Sequence, residues 1–137
     1  MSHVFDGCES LTSIELSNFD THNVKNMSYM FGRCKSFKTL DLNKFVTSKV
    51  LTMDHLFYSC SNLTDLIFDN FDTSKVTNME SMFKKCSNLE FIDLNFFNTE
   101  NVVTMKSMFS SCEKLEDLDI SKFNTSNVET MSYMFNN

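Results

Sequence analysis

No proline interrupts this chain, and only Gly7 and Gly32 supply glycine's backbone freedom. Its turns must therefore be built from Asn, Asp, Ser and Thr, which bond their own backbone and tolerate turn geometry. No run of about 20 apolar residues is present, which excludes a membrane-spanning helix in this segment. Residues 2–10 carry neither a basic start nor an apolar block, so no signal peptide is visible. Basic residues are the minority: 12 Lys and Arg stand against 18 Asp and Glu, a net charge of −6. Nucleic acid and anionic membrane call for a basic face, and neither is expected as a partner. Close cysteine pairs, H-E-x-x-H, a Gly-rich phosphate loop and G-x-S-x-G are all missing. Nor is there a Ca²⁺ loop of alternating Asp and Gly. No catalytic, cofactor-binding or metal-binding residue is assigned, and an enzyme is not expected.

What the chain does have is a period. Cysteines fall at 8, 34, 60, 86 and 112, each 26 residues after the last. The same step carries Phe19, Phe45, Phe71, Phe97 and Phe123, and Val24, Val50, Val76, Val102 and Val128. It also carries Phe5, Phe31, Phe57, Phe83, Phe109 and Phe135. A fixed period in the range of roughly 20–50 residues indicates a stacked array whose units contact mainly their neighbours. At 42% hydrophobic residues the chain can bury a core. Residues 1–137 are expected to form a single repeat array. Met1–Phe5 aligns with Met131–Phe135 and neither end has a polar cap, so the array is expected to belong to a longer solenoid and to self-associate end to end.

Within one unit, Asn26, Thr52, Asn78, Thr104 and Thr130 read as helix N-caps. Met27, Met30, Phe31 and Cys34 follow at i, i+3, i+4 and i+7, the spacing of a short amphipathic helix. Leu40 and Leu42 then alternate with Thr39, Asp41 and Asn43, the signature of a half-buried strand. Segments such as Asp72-Thr73-Ser74-Lys75 read as turns. Equivalent strands would pair in parallel about 4.8 Å apart, with helices on the opposite side. The fold class expected is an α/β solenoid: a leucine-rich-repeat-like right-handed stack of about five coils, each with a short parallel strand and a short helix. The period lies within the roughly 20–29 residues of leucine-rich repeats, and Leu63-x-x-Leu66-x-Phe68 fits their core spacing.

The cysteines read as a buried, reduced ladder of small hydrophobes, the ten methionines as packing columns, and His3, His22 and His55 as solvated surface. The outward strand positions are the expected contact surface, because helices need more lateral room than strands and would leave the sheet on the inner curve. Partner-binding candidates there are Glu15, Asp41, Asp65, Ile67, Phe91, Asp93, Asp117 and Asp119, an acidic stripe broken by two apolar residues.

The pattern M-x-x-M-F-x-x-C-x-x-L-x-x-L-D-L-x-x-F-(D/N)-T-x-x-V closely resembles the BspA-like leucine-rich-repeat surface proteins. It is most similar to the subtype arrayed in bacterial surface lipoproteins and some protists. Met79, Met82, Phe83, Cys86, Leu89, Ile92, Asp93, Leu94, Phe97, Asn98, Thr99 and Val102 carry one full match. Val46, Ile67 and Phe96 depart from it, at turn or outward positions. The resemblance implies a non-catalytic, macromolecule-binding module of a cell-surface or secreted protein. Its partner would be a protein on a host or neighbouring cell, or in extracellular matrix. The alternative is an intracellular protein–protein interaction scaffold of the same fold.

Overall fold

Backbone hydrogen bonds in the computed structural model, which describes residues 1–137, are of two kinds: local turns reaching two or three residues back, and bonds between positions 25 to 27 apart that join one coil to the next. Coils 1–26, 27–52, 53–78, 79–104 and 105–130 therefore lie one on the next, and 131–137 begins another. Asn26, Thr52, Asn78, Thr104 and Thr130 form one unbroken column of parallel bridges. Beside it, Leu51, Thr77, Val103 and Glu129 each donate an N–H to the carbonyl 26 residues earlier, at 2.8–2.9 Å.

The inward columns fuse into one core that runs through the stack. The Phe5, Phe31, Phe57, Phe83, Phe109 and Phe135 rings stack in sequence, with centroids 5.4–6.1 Å apart and planes within 14°. Met27, Met30, Cys34, Met53, Met79 and Met82 pack beside them without exposure. No cysteine is in a disulfide. Each thiol from Cys34 onward instead donates to a carbonyl in the preceding coil, as from Cys60 to Phe31 and from Cys86 to Phe57, both at 3.1 Å. Burial pushes the Cys34 thiol up to about 12 and that of Cys112 up to about 11, and raises Cys60 and Cys86 as well. These thiols are poor nucleophiles at neutral pH.

A second ladder is polar. Thr47, Thr73 and Thr99 are buried, and each is bonded twice to a single residue of the next coil. The Thr73 hydroxyl accepts the Asn98 N–H at 2.8 Å and donates to the Asn98 carbonyl at 2.9 Å. Thr47 does the same with Asp72, and Thr99 with Asn124. The recurrence of Thr at 21, 47, 73, 99 and 125, beside neighbours that vary, is the sequence signal of this role.

The expected helix is overturned, and with it the α/β solenoid of one strand and one helix per coil. No helix forms, and regular strand is confined to β1 (Thr39–Asp41) and β2 (Asp65–Ile67), paired in parallel with Leu40 opposite Leu66. Where the helix was expected, tight turns follow one another. In the second coil Met30, Gly32 and Cys34 donate three residues back, to Met27, Tyr29 and Phe31. The residues between them, Tyr29, Phe31 and Arg33, donate instead to Asp54, Leu56 and Tyr58 of the next coil. A helix would spend every interior N–H inside itself. Two turns of helix are also too short to persist alone. The alternating arrangement joins coils through the same backbone.

Its conformational cost falls on two columns with positive φ. They are His3, Tyr29, His55, Ser81, Ser107 and Tyr133, and Gly7, Arg33, Ser59, Lys85 and Ser111, all between 55° and 78°. The expected N-caps correspondingly open turns: Asn26 Oδ1 accepts the Ser28 N–H at 2.8 Å, and Asn78 Oδ1 that of Glu80 at 2.9 Å. No helix is long and apolar enough to cross a membrane.

Candidate functional site

The strand side of the stack differs from the turn side in one respect: its ladder is not continuous. Coils two and three are joined by β1 and β2, and coils four and five by a bridge from Phe91 to Asp117. No backbone hydrogen bond joins residues 12–18 to 38–44, or 64–69 to 90–95. At both unjoined levels the surface opens into a cleft. One, of about 350 Å³, lies among Ser13–Ser17, Thr39–Asp41 and Lys44. The other, of about 400 Å³, is lined by Thr64–Asp69 and Glu90–Asp93. Phe96 packs at the second junction, edge-on to Phe68 with centroids 5.4 Å apart.

The eight candidate residues fall into two sets. Glu15, Asp41, Asp93 and Asp119 bind their own backbone two residues on. Ser17 N–H donates to Glu15 Oε1 at 2.8 Å. Asn43, Asn95 and Ser121 donate to Asp41, Asp93 and Asp119, each at 2.9 Å. These carboxylates hold the turn that ends each strand segment, as Asx-turns do. Asp65, Ile67, Phe91 and Asp117 hold no such turn. Asp65 receives a hydroxyl contact from Thr64 at 3.1 Å, and Asp117 makes no side-chain hydrogen bond. Ile67 is 37% exposed and Phe91 61% exposed.

The second cleft brings Asp65, Ile67, Phe91 and Asp93 together, and Asp117 sits one rung beyond, opposite Phe91. Glu15 and Asp41 belong to the first cleft. Asp69 and Glu90 also line the second cleft and were not among the candidates. Glu90 precedes the alternating segment, so its position carried no outward signal. With turns in place of helices, the argument that put the sheet on an inner curve loses its premise. No three His, Cys, Asp or Glu side chains converge as metal ligands would.

The turn-holding carboxylates also set the chain's response to acid. Backbone donation from Ser17 lowers the pKa of Glu15, and the hydroxyl and N–H of Ser121 lower that of Asp119. Ser74 does the same to Asp72, and the His22 N–H to Asp20. Burial alone would raise Asp54, but bonds from the Ser28 and Thr52 hydroxyls and from His55 outweigh it and hold Asp54 low. A carboxyl with a lowered folded pKa stabilises the fold above its unfolded value, and that stability disappears as pH falls through the folded value. The urea midpoint is therefore expected to hold from neutral pH down to the ordinary carboxylate values of 4.5 and 3.8 and to drop below them. A midpoint unchanged or higher in that acid range would contradict this assignment.

The class these features define is a repeat protein: equivalent coils of 26 residues stacked in register, with side-chain ladders fused into one core that runs through them. The comparison with families of known sequence agrees. Residues 1–67 and 64–137 each match the family described as "Mycoplasma protein of unknown function, DUF285", and the chain belongs to that family. No curated protein and no solved structure matches it.

Proposed function

We propose that this chain is a non-catalytic, protein-binding module of a cell-surface or secreted protein, and that it binds through the strand side of the stack. The observation that carries this reading is Phe91, an aromatic ring 61% exposed at a position where every other coil places Ser, Thr or Asp. Ile67 is exposed beside it, at a position where the neighbouring coils carry Asp. Neither residue serves the core, and exposed apolar groups rimmed by polar ones suit a contact surface. The resemblance of the Met-Phe-Cys-Leu pattern to BspA-like leucine-rich-repeat surface proteins supports the surface location and an adhesive role, and extends to their lipoprotein members.

The test uses the full chain carrying a photo-crosslinker, presented to intact candidate partner cells and to matrix proteins. Cross-linking to a protein is expected for the wild type. It is expected to vanish in the Ile67→Ser/Phe91→Ser double variant and to persist in Leu51→Ser, which alters an exposed apolar residue on the bridge column. The reverse pattern would reject the strand side. Protease treatment of intact producing cells should remove an epitope tag from the protein. A protected tag would favour the intracellular scaffold.

A further inference from the structure

We infer that the cleft between the third and fourth coils receives an arginine side chain from an extended, basic segment of the partner protein. The inference rests on the strand-side reading and goes beyond it by naming what is bound. The two clefts provide an internal comparison, since each opens where the parallel ladder is interrupted. The first contains Lys44 and no exposed aromatic ring. The second is lined by Asp65, Asp69, Glu90 and Asp93 with no basic residue, and Phe91 stands at its rim. Only the second therefore combines negative charge, an accessible ring and backbone without a partner across the gap.

Those three properties match one side chain best. A guanidinium is planar, stacks on an aromatic face, and offers five N–H donors with no acceptor. The carboxylates on either side supply acceptors only, and the interrupted ladder adds unpaired backbone carbonyls alongside its N–H groups. The Phe91 ring gives a surface for the cation, an interaction that strengthens as water is excluded. A volume of about 400 Å³ admits one long side chain and some water, not a second strand of backbone. The segment carrying the arginine would run along the surface in extended form, where alternate side chains point to one face. An apolar residue two positions along, on the same face as the arginine, would then rest on Ile67.

The probe is a short fluorescent peptide in extended-favouring sequence with an arginine and a leucine two residues apart, titrated into the full chain and followed by anisotropy and by amide chemical shifts. Binding is expected to weaken as salt rises, because the charges are partly exposed. Phe91→Ser and the Asp69→Asn/Glu90→Gln pair are each expected to weaken it about tenfold, which corresponds to about 1.4 kcal/mol. Shifts are expected at 64–69 and 90–93 and not at 13–17 and 39–44. A peptide with citrulline in place of arginine, equal in shape and uncharged, should not bind. Equal binding by the citrulline or a lysine peptide, indifference to Phe91→Ser, or equal shifts at both clefts would each overturn the inference. A cross-linked partner that needs Ile67 and Phe91 but is not displaced by the arginine peptide would overturn it while leaving the strand-side reading intact. Loss of both results would remove both.

Discussion

Phe83→Ala is expected to lower the free energy of unfolding by about 3–5 kcal/mol, the usual cost of emptying a fully buried aromatic site. Phe83 has no exposed surface. Its ring lies between those of Phe57 and Phe109, at centroid distances of 5.6 and 5.5 Å. Removing it breaks both stacks at once, and the coils above and below cannot close the gap because their backbones are hydrogen-bonded at fixed spacing. The loss would be a large share of the roughly 5–15 kcal/mol that holds an ordinary domain together. Phe135→Ala, at the end of the same column and 53% exposed, is expected to cost less than half as much. Urea denaturation of the two variants at equal slope reads the difference. Equal costs, or a Phe83→Ala effect below that of Phe135→Ala, would contradict a ladder whose strength lies in its interior rungs.

The second large effect is expected from Thr73→Val, which keeps the side chain's shape and removes only the hydroxyl. The Asn98 N–H and C=O would both lose their partner, and since Asn98 is itself exposed each lost bond costs about 0.5–1.5 kcal/mol. Thr125 is exposed and makes no such bonds, so Thr125→Val should change stability by no more than about 0.5 kcal/mol. Amide exchange at Asn98 provides a local readout, with protection lost in Thr73→Val and kept in Thr73→Ser. Protection kept in Thr73→Val would show that the hydroxyl is not what holds that amide.

The period and the inward columns are legible in the chain before any coordinates, because they depend on burial alone. Met27, Met30, Phe31 and Cys34 all point inward. Their backbone does not follow from that fact. Spacing of i, i+3, i+4 and i+7 is met by a helix, and equally by turns that close every three residues and return the chain to the same side. Glycine or asparagine at the positive-φ positions would have told the two apart. Apart from Gly7, those positions hold His, Tyr, Ser, Arg and Lys, residues that carry no such signal. The deciding interaction is also non-local, since Tyr29 and Phe31 donate to the next coil.

The strand side shows the same division. Alternation placed Ile67 and Phe91 outward, where they are exposed. It offered no reason for the ladder to close between β1 and β2 and stay open one coil later, because the repeat is the same length at both levels. It left two roles open for Asp41, Asp93 and Asp119, holding their own turns or awaiting a ligand, since the two look alike in sequence; the structure shows the turns.

The strict register of the columns has a genetic consequence. Loss or gain of one residue inside a coil would misalign each phenylalanine, threonine and cysteine beyond that point with its neighbour below. Loss or gain of a complete unit would rejoin matching rungs and leave all ladders whole. Recombination that adds or removes whole copies should therefore yield folded proteins of stepped lengths. It would also add or remove the unit bearing Phe91 in a single event, without passing through an unfolded intermediate sequence.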